Sequence, residues 1–170
     1  MTSAAAAGSP TLVLIFRVAG LSIAVRCRSI REIVFLAATV DSPGPSSPLT
    51  GFLNVHGEAV PVIALSRLFR VADAELGIHT PLILLQCQGR SLGLIADHVD
   101  EVAAVQHEAL QLLAADHSLN DCAEAQFTIE GRGTVLLDSE RLLLKEESER
   151  LQRLAEDAQR RLESFEAAIE

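Results

Sequence analysis

Four apolar runs dominate the chain, each interrupted by a short glycine-bearing pair or cluster: LIFRV-AG-LSIAV, FLNV-HG-EAVPVIAL, PLILLQC-QG-RSLGLIA and FTI-EGRG-TVLLD. The segments on either side are short and rich in Val, Ile and Leu, the size and composition of a β-strand. Glycine supplies the positive φ that a tight hairpin turn requires. The pattern predicts four hairpins in a mainly β protein. Pro61 falls inside one predicted strand and has no amide proton for a ladder, so its nitrogen is expected to face an edge or a bulge. The stretch DSPGPSSP, residues 41–48, with three prolines in eight positions, reads as a surface loop.

The pattern also repeats. Counting from Gly20, Ser22, Ile23, Ile30, Glu32 and Ile33 recur as Ser91, Leu92, Val99, Glu101 and Val102 counted from Gly89, with Ile30 matching Val99 and Ile33 matching Val102. More loosely, SRLF at 66–69 is answered by ERLL at 140–143. A unit of hairpin, short segment, hairpin and Arg-Leu turn used twice predicts a structural duplication. The fold expected is mainly β, with two small barrels side by side, intertwined subdomains at roughly residues 11–80 and 81–144. Residues 1–10 are expected to be a loose tail.

The character changes near residue 139. From there to residue 170 the chain has no Gly or Pro. Leu151, Ala158 and Phe165 recur at seven, as do Ala155, Leu162 and Ile169, giving one apolar stripe on a long helix over residues 145–170. Such a stripe docks on the protein's own barrels, on a partner helix, or on a second copy of itself.

Composition narrows the function. A net charge of −9, with no Trp or Tyr, argues against nucleic acid, which needs clustered cations and stacking platforms. Cys27, Cys87 and Cys122 have no ligand-like spacing and read as free thiols of a reducing compartment. MTSAAAAGSP lacks the features of a signal peptide, and LVLIFRVAGLSIAV is too short and too polar at Arg17 to span a bilayer. The expectation is a cytoplasmic protein without membrane insertion.

No motif for catalysis or phosphate binding is present. Asp97, His98, Asp100 and Glu101 lie close in sequence, but strand alternation sends neighbours to opposite faces. Asp116, His117, Asp121 and Cys122 read as a polar loop before a metal site. Neither cofactor nor metal is expected. Function should then lie on surfaces, and a groove between two barrels is a natural one. Ile30, Glu32, Val99 and Val102, on the repeated segments, are candidates for its lining.

These residues resemble the CheW family of chemosensory coupling proteins. LVLIFRVAGLSIAV, SIREIV, GFLNVHGEAVPVIALSRLF, SLGLIADHVDEV and VLLDSERLL occur in that family's order and spacing, over roughly residues 11–144. Gly51, Asn54, Gly57, Pro61, Val62 and Leu65 fit its G-x-x-N-L-R-G-x-x-x-P-V-x-D-L motif. Gly93, Leu94, Asp97, Val99, Glu101 and Val102 fit its G-L-x-V-D-x-V-x-E-V motif. The resemblance implies two five-stranded SH3-like barrels and a non-catalytic adaptor, at membrane-associated arrays, between chemoreceptors and a CheA-type histidine kinase. It implies that the receptor's hairpin tip lies against Ile30, Glu32, Val99 and Val102. The turn near Gly51, Asn54, His56 and Gly57 would contact the kinase's regulatory domain or the receptor. His56 stands where the family has arginine and Ala64 where it has aspartate, the second half is shortened around DCAEAQFTIEGRG, and the helical tail is long. These departures point toward an alternative array, such as a Wsp-like surface-sensing system, and leave self-association through the helix as a further contact. A barrel that binds a small ligand, or an enzyme without a recognisable motif, is the other reading.

Overall fold

All four predicted hairpins form in the computed structural model, which describes residues 8–36, 40–41, 48–73, 75–114, 121–143 and 145–169. Residues 1–7 of the expected tail, residues 42–47 of the proline-rich loop, and Asp116 and His117 lie outside the described residues. In chain order the strands are β1 (Thr11–Val18), β2 (Leu21–Arg26), β3 (Ile30–Phe35), β4 (Val40–Asp41), β5 (Leu49–Val55) and β6 (Glu58–Ala64). After the short helix α1 (Leu65–Leu68) come β7 (Pro81–Cys87), β8 (Arg90–Ile95), β9 (His98–Val105), β10 (Gln111–Leu112), β11 (Ala123–Ile129) and β12 (Arg132–Leu137). The helix α2 (Lys145–Ile169) closes the order.

Each hairpin turns on two residues: Ala19-Gly20, His56-Gly57, Gln88-Gly89 and Glu130-Gly131. Both residues of each have positive φ, for example 52° at His56 and 85° at Gly57. This geometry matches the right-handed twist of the flanking strands. Glycine takes the second position without steric cost, which is why the pattern could be read from the sequence.

The strands build two sheets, in the orders β10-β11-β12-β2-β1-β9 and β3-β7-β8-β6-β5-β4. Each has five longer strands and a two-residue sixth at one edge. Exchanging β1–β6 for β7–β12 turns one order into the other, so the duplication extends to topology. The bulges repeat as well. The register shifts between Ile30 and Glu32 opposite β7, and between Glu101 and Val99 opposite Ile15 and Phe16 on β1.

The sheets cross the boundary between the two repeats. The β1–β2 hairpin leaves its own repeat to join β9–β12, while β3–β8 form the other sheet. Two parallel pairs seal the exchange, β2 with β12 and β6 with β8.

Burial explains why the runs are almost continuously apolar. One cluster, containing Leu14, Phe16, Ile23, Ile63, Ile83, Leu85, Leu92 and Leu137, takes residues from both sheets. A second, with Leu53, Val60, Val62, Leu82 and Leu84, belongs to the β3–β8 sheet. A third, with Val13, Ile15, Ala24, Phe127 and Leu136, belongs to the other. Central strands such as β1 and β7 therefore bury both faces and have little polar alternation.

Pro61 shows how the proline is accommodated. Ala59 N–H points away from β5, and alternate residues point the same way, so the Pro61 nitrogen does too. The parallel ladder of β6 with β8 starts only at Val62. Residues 58–61 thus keep an open edge, as expected for a strand proline. In the other sheet Val135 stands at the equivalent position and already pairs with Ile23.

Candidate functional site

The β3 bulge at Arg31 separates two of the predicted groove residues. Ile30 pairs with Leu85 and packs on the shared cluster, whereas Glu32 pairs with Leu84 on the opposite face. On β9, Val99 pairs with Phe16 and also packs on the shared cluster, while Val102 pairs with Leu14 on that same face. Ile30 and Val99 are half-buried, and Val102 is 57% exposed. Sequence reasoning passed over Ile33, which pairs with Ile83 on the shared-cluster face of β3 and is 45% exposed. Its match to Val102 in the repeat was the available signal.

Glu32 instead faces the β5–β6 hairpin. His56 Nε2 lies 3.9 Å from Glu32 Oε1, and the His56 side chain is almost wholly exposed. Asn54 Oδ1 accepts from Gly57 N at 2.9 Å, which fixes the turn. Gly51 is not at the tip. It is buried within β5, beside the register shift between Leu49 and Gly51.

The bulge residues of the two repeats carry opposite charge. Arg31 contacts Glu58 at 3.3 Å and donates to Ser91 Oγ. Its counterpart Asp100 accepts from Arg17 Nε at 2.7 Å and lies 3.8 Å from Arg132. His98 Nε2 is 3.5 Å from the same carboxylate, and Asp97 Oδ2 accepts from Ala19 N at 2.7 Å. These acids brace strands and a turn instead of converging on a common point. Among the described residues no three His, Cys, Asp or Glu side chains are grouped to hold a metal. Burial pushes the Cys87 thiol up to about 11 and the Cys122 thiol up to about 12, and raises Cys27, the opposite of what a nucleophile needs.

The C-terminal helix docks on the body through its first half. Leu151 and Leu154 pack against the shared cluster. Leu151, Ala155, Ala158 and Leu162 are half-buried, but Phe165 and Ile169, the end of the same stripe, are 67% and 71% exposed. At the open edge of β6, Gln159 Oε1 accepts from Ala59 N at 2.8 Å and its Nε2 donates to Gly57 O at 3.1 Å. One side-chain amide thereby makes the pair of bonds a neighbouring parallel strand would make. No described helix is long and apolar enough to cross a membrane.

Comparison with known proteins identifies this architecture. Residues 12–147 match the CheW family, described as a CheW-like domain. The chain is 26% identical over 137 residues to a chemotaxis protein CheW of Rhizobium meliloti (strain 1021), covering 79% of this chain and 88% of that one. It is 25% identical over 139 residues to a probable chemotaxis protein CheW of Rhizobium etli, with the same coverage of both. The crystal structure of the scaffolding protein CheW from Thermoanaerobacter tengcongensis shares the fold. Its TM-score is 0.73 at 17% identity, over 85% of this chain and 94% of that one. The chain belongs to the CheW-like family, whose members are non-catalytic coupling adaptors of chemosensory arrays and not enzymes.

Proposed function

We propose that this adaptor works in the cytoplasm, at membrane-associated receptor arrays, and couples chemoreceptors to a CheA-type histidine kinase through two separate surfaces. The receptor surface is the apolar strip on the shared-cluster faces of the two edge strands. Ile33 and Val102 present it, with Ile30 and Val99 beneath them. The observation that carries this reading is the equivalence of Ile33 and Val102. They occupy equivalent positions of the two repeats, both lie on the shared-cluster faces of edge strands, and both remain exposed, as do Phe35 and Leu12 farther along those faces. An apolar side of a receptor hairpin tip fits such a strip. The kinase surface is the β5–β6 tip, where Asn54 holds the turn and His56 projects beside Glu32. Gly51 contributes from inside the strand, as a backbone position and not as a contact. Self-association, the third expected contact, is assigned to Phe165 and Ile169 at the end of α2.

Two single substitutions separate the surfaces. Val102→Asp places an unpaired carboxylate in an apolar contact, which costs several kcal/mol when desolvated. It should weaken binding of a receptor cytoplasmic fragment by more than about tenfold and leave kinase binding within about twofold. His56→Glu sets a second carboxylate beside Glu32 and should weaken binding of the kinase regulatory domain roughly three- to tenfold, leaving the receptor unaffected. Calorimetric titration of both fragments against both variants measures this. Loss of both partners in one variant, or of neither in both, overturns the assignment.

A further inference from the structure

The open edge of β6 lies inside the region that matches the family, while its cover does not: the match ends at residue 147, at the start of α2. That cover meets the shared cluster only in its early turns and is half-buried as far as Leu162. Its contacts with the shared cluster come from Leu151 and Leu154. Beside the same turns a cavity of about 220 Å³, lined by Pro61, Cys87, Leu92, Ser148, Leu151 and Ala155 among others, lies between the helix and the sheet. At the hairpin itself the Gln159 amide makes two bonds, the ones to Ala59 and Gly57. Beyond Leu162 the helix leaves the body with Phe165 exposed.

We propose that α2 is a detachable cover of the open edge of β6. Gln159 occupies in cis the backbone groups, Gly57 C=O and Ala59 N–H, that an extended segment of the partner takes in trans. This rests on the reading of the β5–β6 tip as the kinase surface and adds its regulation. An edge strand with free donors and acceptors is a ready template for another strand. An amide that satisfies those groups without being a strand blocks the template and is easily released. The measured affinity for the partner is the intrinsic affinity reduced by the fraction of molecules with the helix lifted.

Gln159→Ala in the full chain tests this, with amide exchange at Ala59 and titration of the kinase regulatory domain as readouts. The variant should exchange faster at Ala59 and bind the kinase domain roughly three- to tenfold more tightly, and bound kinase domain should slow the Ala59 exchange again. Unchanged exchange in Gln159→Ala would show that the amide does not hold the edge. Faster exchange with unchanged or weaker binding would show that the cover does not compete, and either result overturns the proposal. His56→Glu in the same titration keeps the two readings apart. If it leaves binding untouched, the tip is not the kinase surface; if it weakens binding while Gln159→Ala has no effect, only the cover fails.

Discussion

The ion pair between Arg26 and Glu124 is a bidentate polar staple across the sheet that holds β9–β12, and breaking it gives a quantitative check on the fold. Arg26 ends β2 and Glu124 sits at the β11 bulge, with β12 between them. The guanidinium grips the carboxylate with two parallel bonds, Nη1 to Oε2 and Nη2 to Oε1, the second at 2.5 Å. The side chains are 19% and 27% exposed. A fully buried pair that loses one partner costs about 3–5 kcal/mol, and partial solvent access lowers this to an expected ~2 kcal/mol for Glu124→Ala. For a chain of this length that is roughly 4–8 °C in Tm. Arg26→Ala should cost about the same, and the double variant little more than either, leaving a coupling of ~1.5 kcal/mol. The pH dependence has a definite sign. The bond from Arg26 holds the Glu124 carboxyl below its ordinary range. A depressed folded-state pKa gives stability that is complete above the unfolded value, ~4.3, and is lost as pH falls through the folded one. The gap between wild type and Glu124→Gln should therefore be constant from about pH 5 to 8 and close at lower pH. Urea unfolding of the four members of the cycle and of Glu124→Gln, repeated at several pH values, measures both quantities. A coupling under about 0.5 kcal/mol, or a gap that persists unchanged at pH 3, would refute the assignment.

Two further substitutions test the packing. Thr50 is the bulge counterpart of Glu124, and its buried Oγ1 has no hydrogen-bond partner among the described residues. Thr50→Val removes an unsatisfied hydroxyl and should stabilise by about 1 kcal/mol in urea unfolding; a loss of stability would show that the oxygen is satisfied in solution. Leu151→Ala should cost about 1–2 kcal/mol, because a half-buried leucine leaves the shared cluster. No change in the urea midpoint would mean that α2 is not docked there.

The hairpins were legible because each carries its glycine in the second turn position between two apolar runs. The duplication was legible from the shared offsets after Gly20 and Gly89. What escaped sequence reading was non-local or depended on a single extra residue. The parallel pairing of Ile23 with Val135 leaves no local mark, so the residues through which the two intertwined halves join could not be read from the sequence. The bulge at Arg31 reverses the alternation of β3, which is why Glu32 was grouped with Ile30 although it faces the hairpin tip. Gln159 lies outside the two apolar series traced along the helix, and nothing in the sequence says that its amide pairs with a strand edge 100 residues away.

The exchanged hairpin also fixes when the protein can fold. As the chain leaves the ribosome, β1 and β2 emerge before the other described strands, yet their neighbours are β9 and β12. Synthesis from Arg26 to Leu137 spans 111 residues, about 6–22 s at ordinary translation rates of ~5–20 residues per second. Throughout that interval the nascent LVLIFRVAGLSIAV segment displays two apolar faces with no partner sheet, so the cell must keep an aggregation-prone hairpin in waiting until β12 is made.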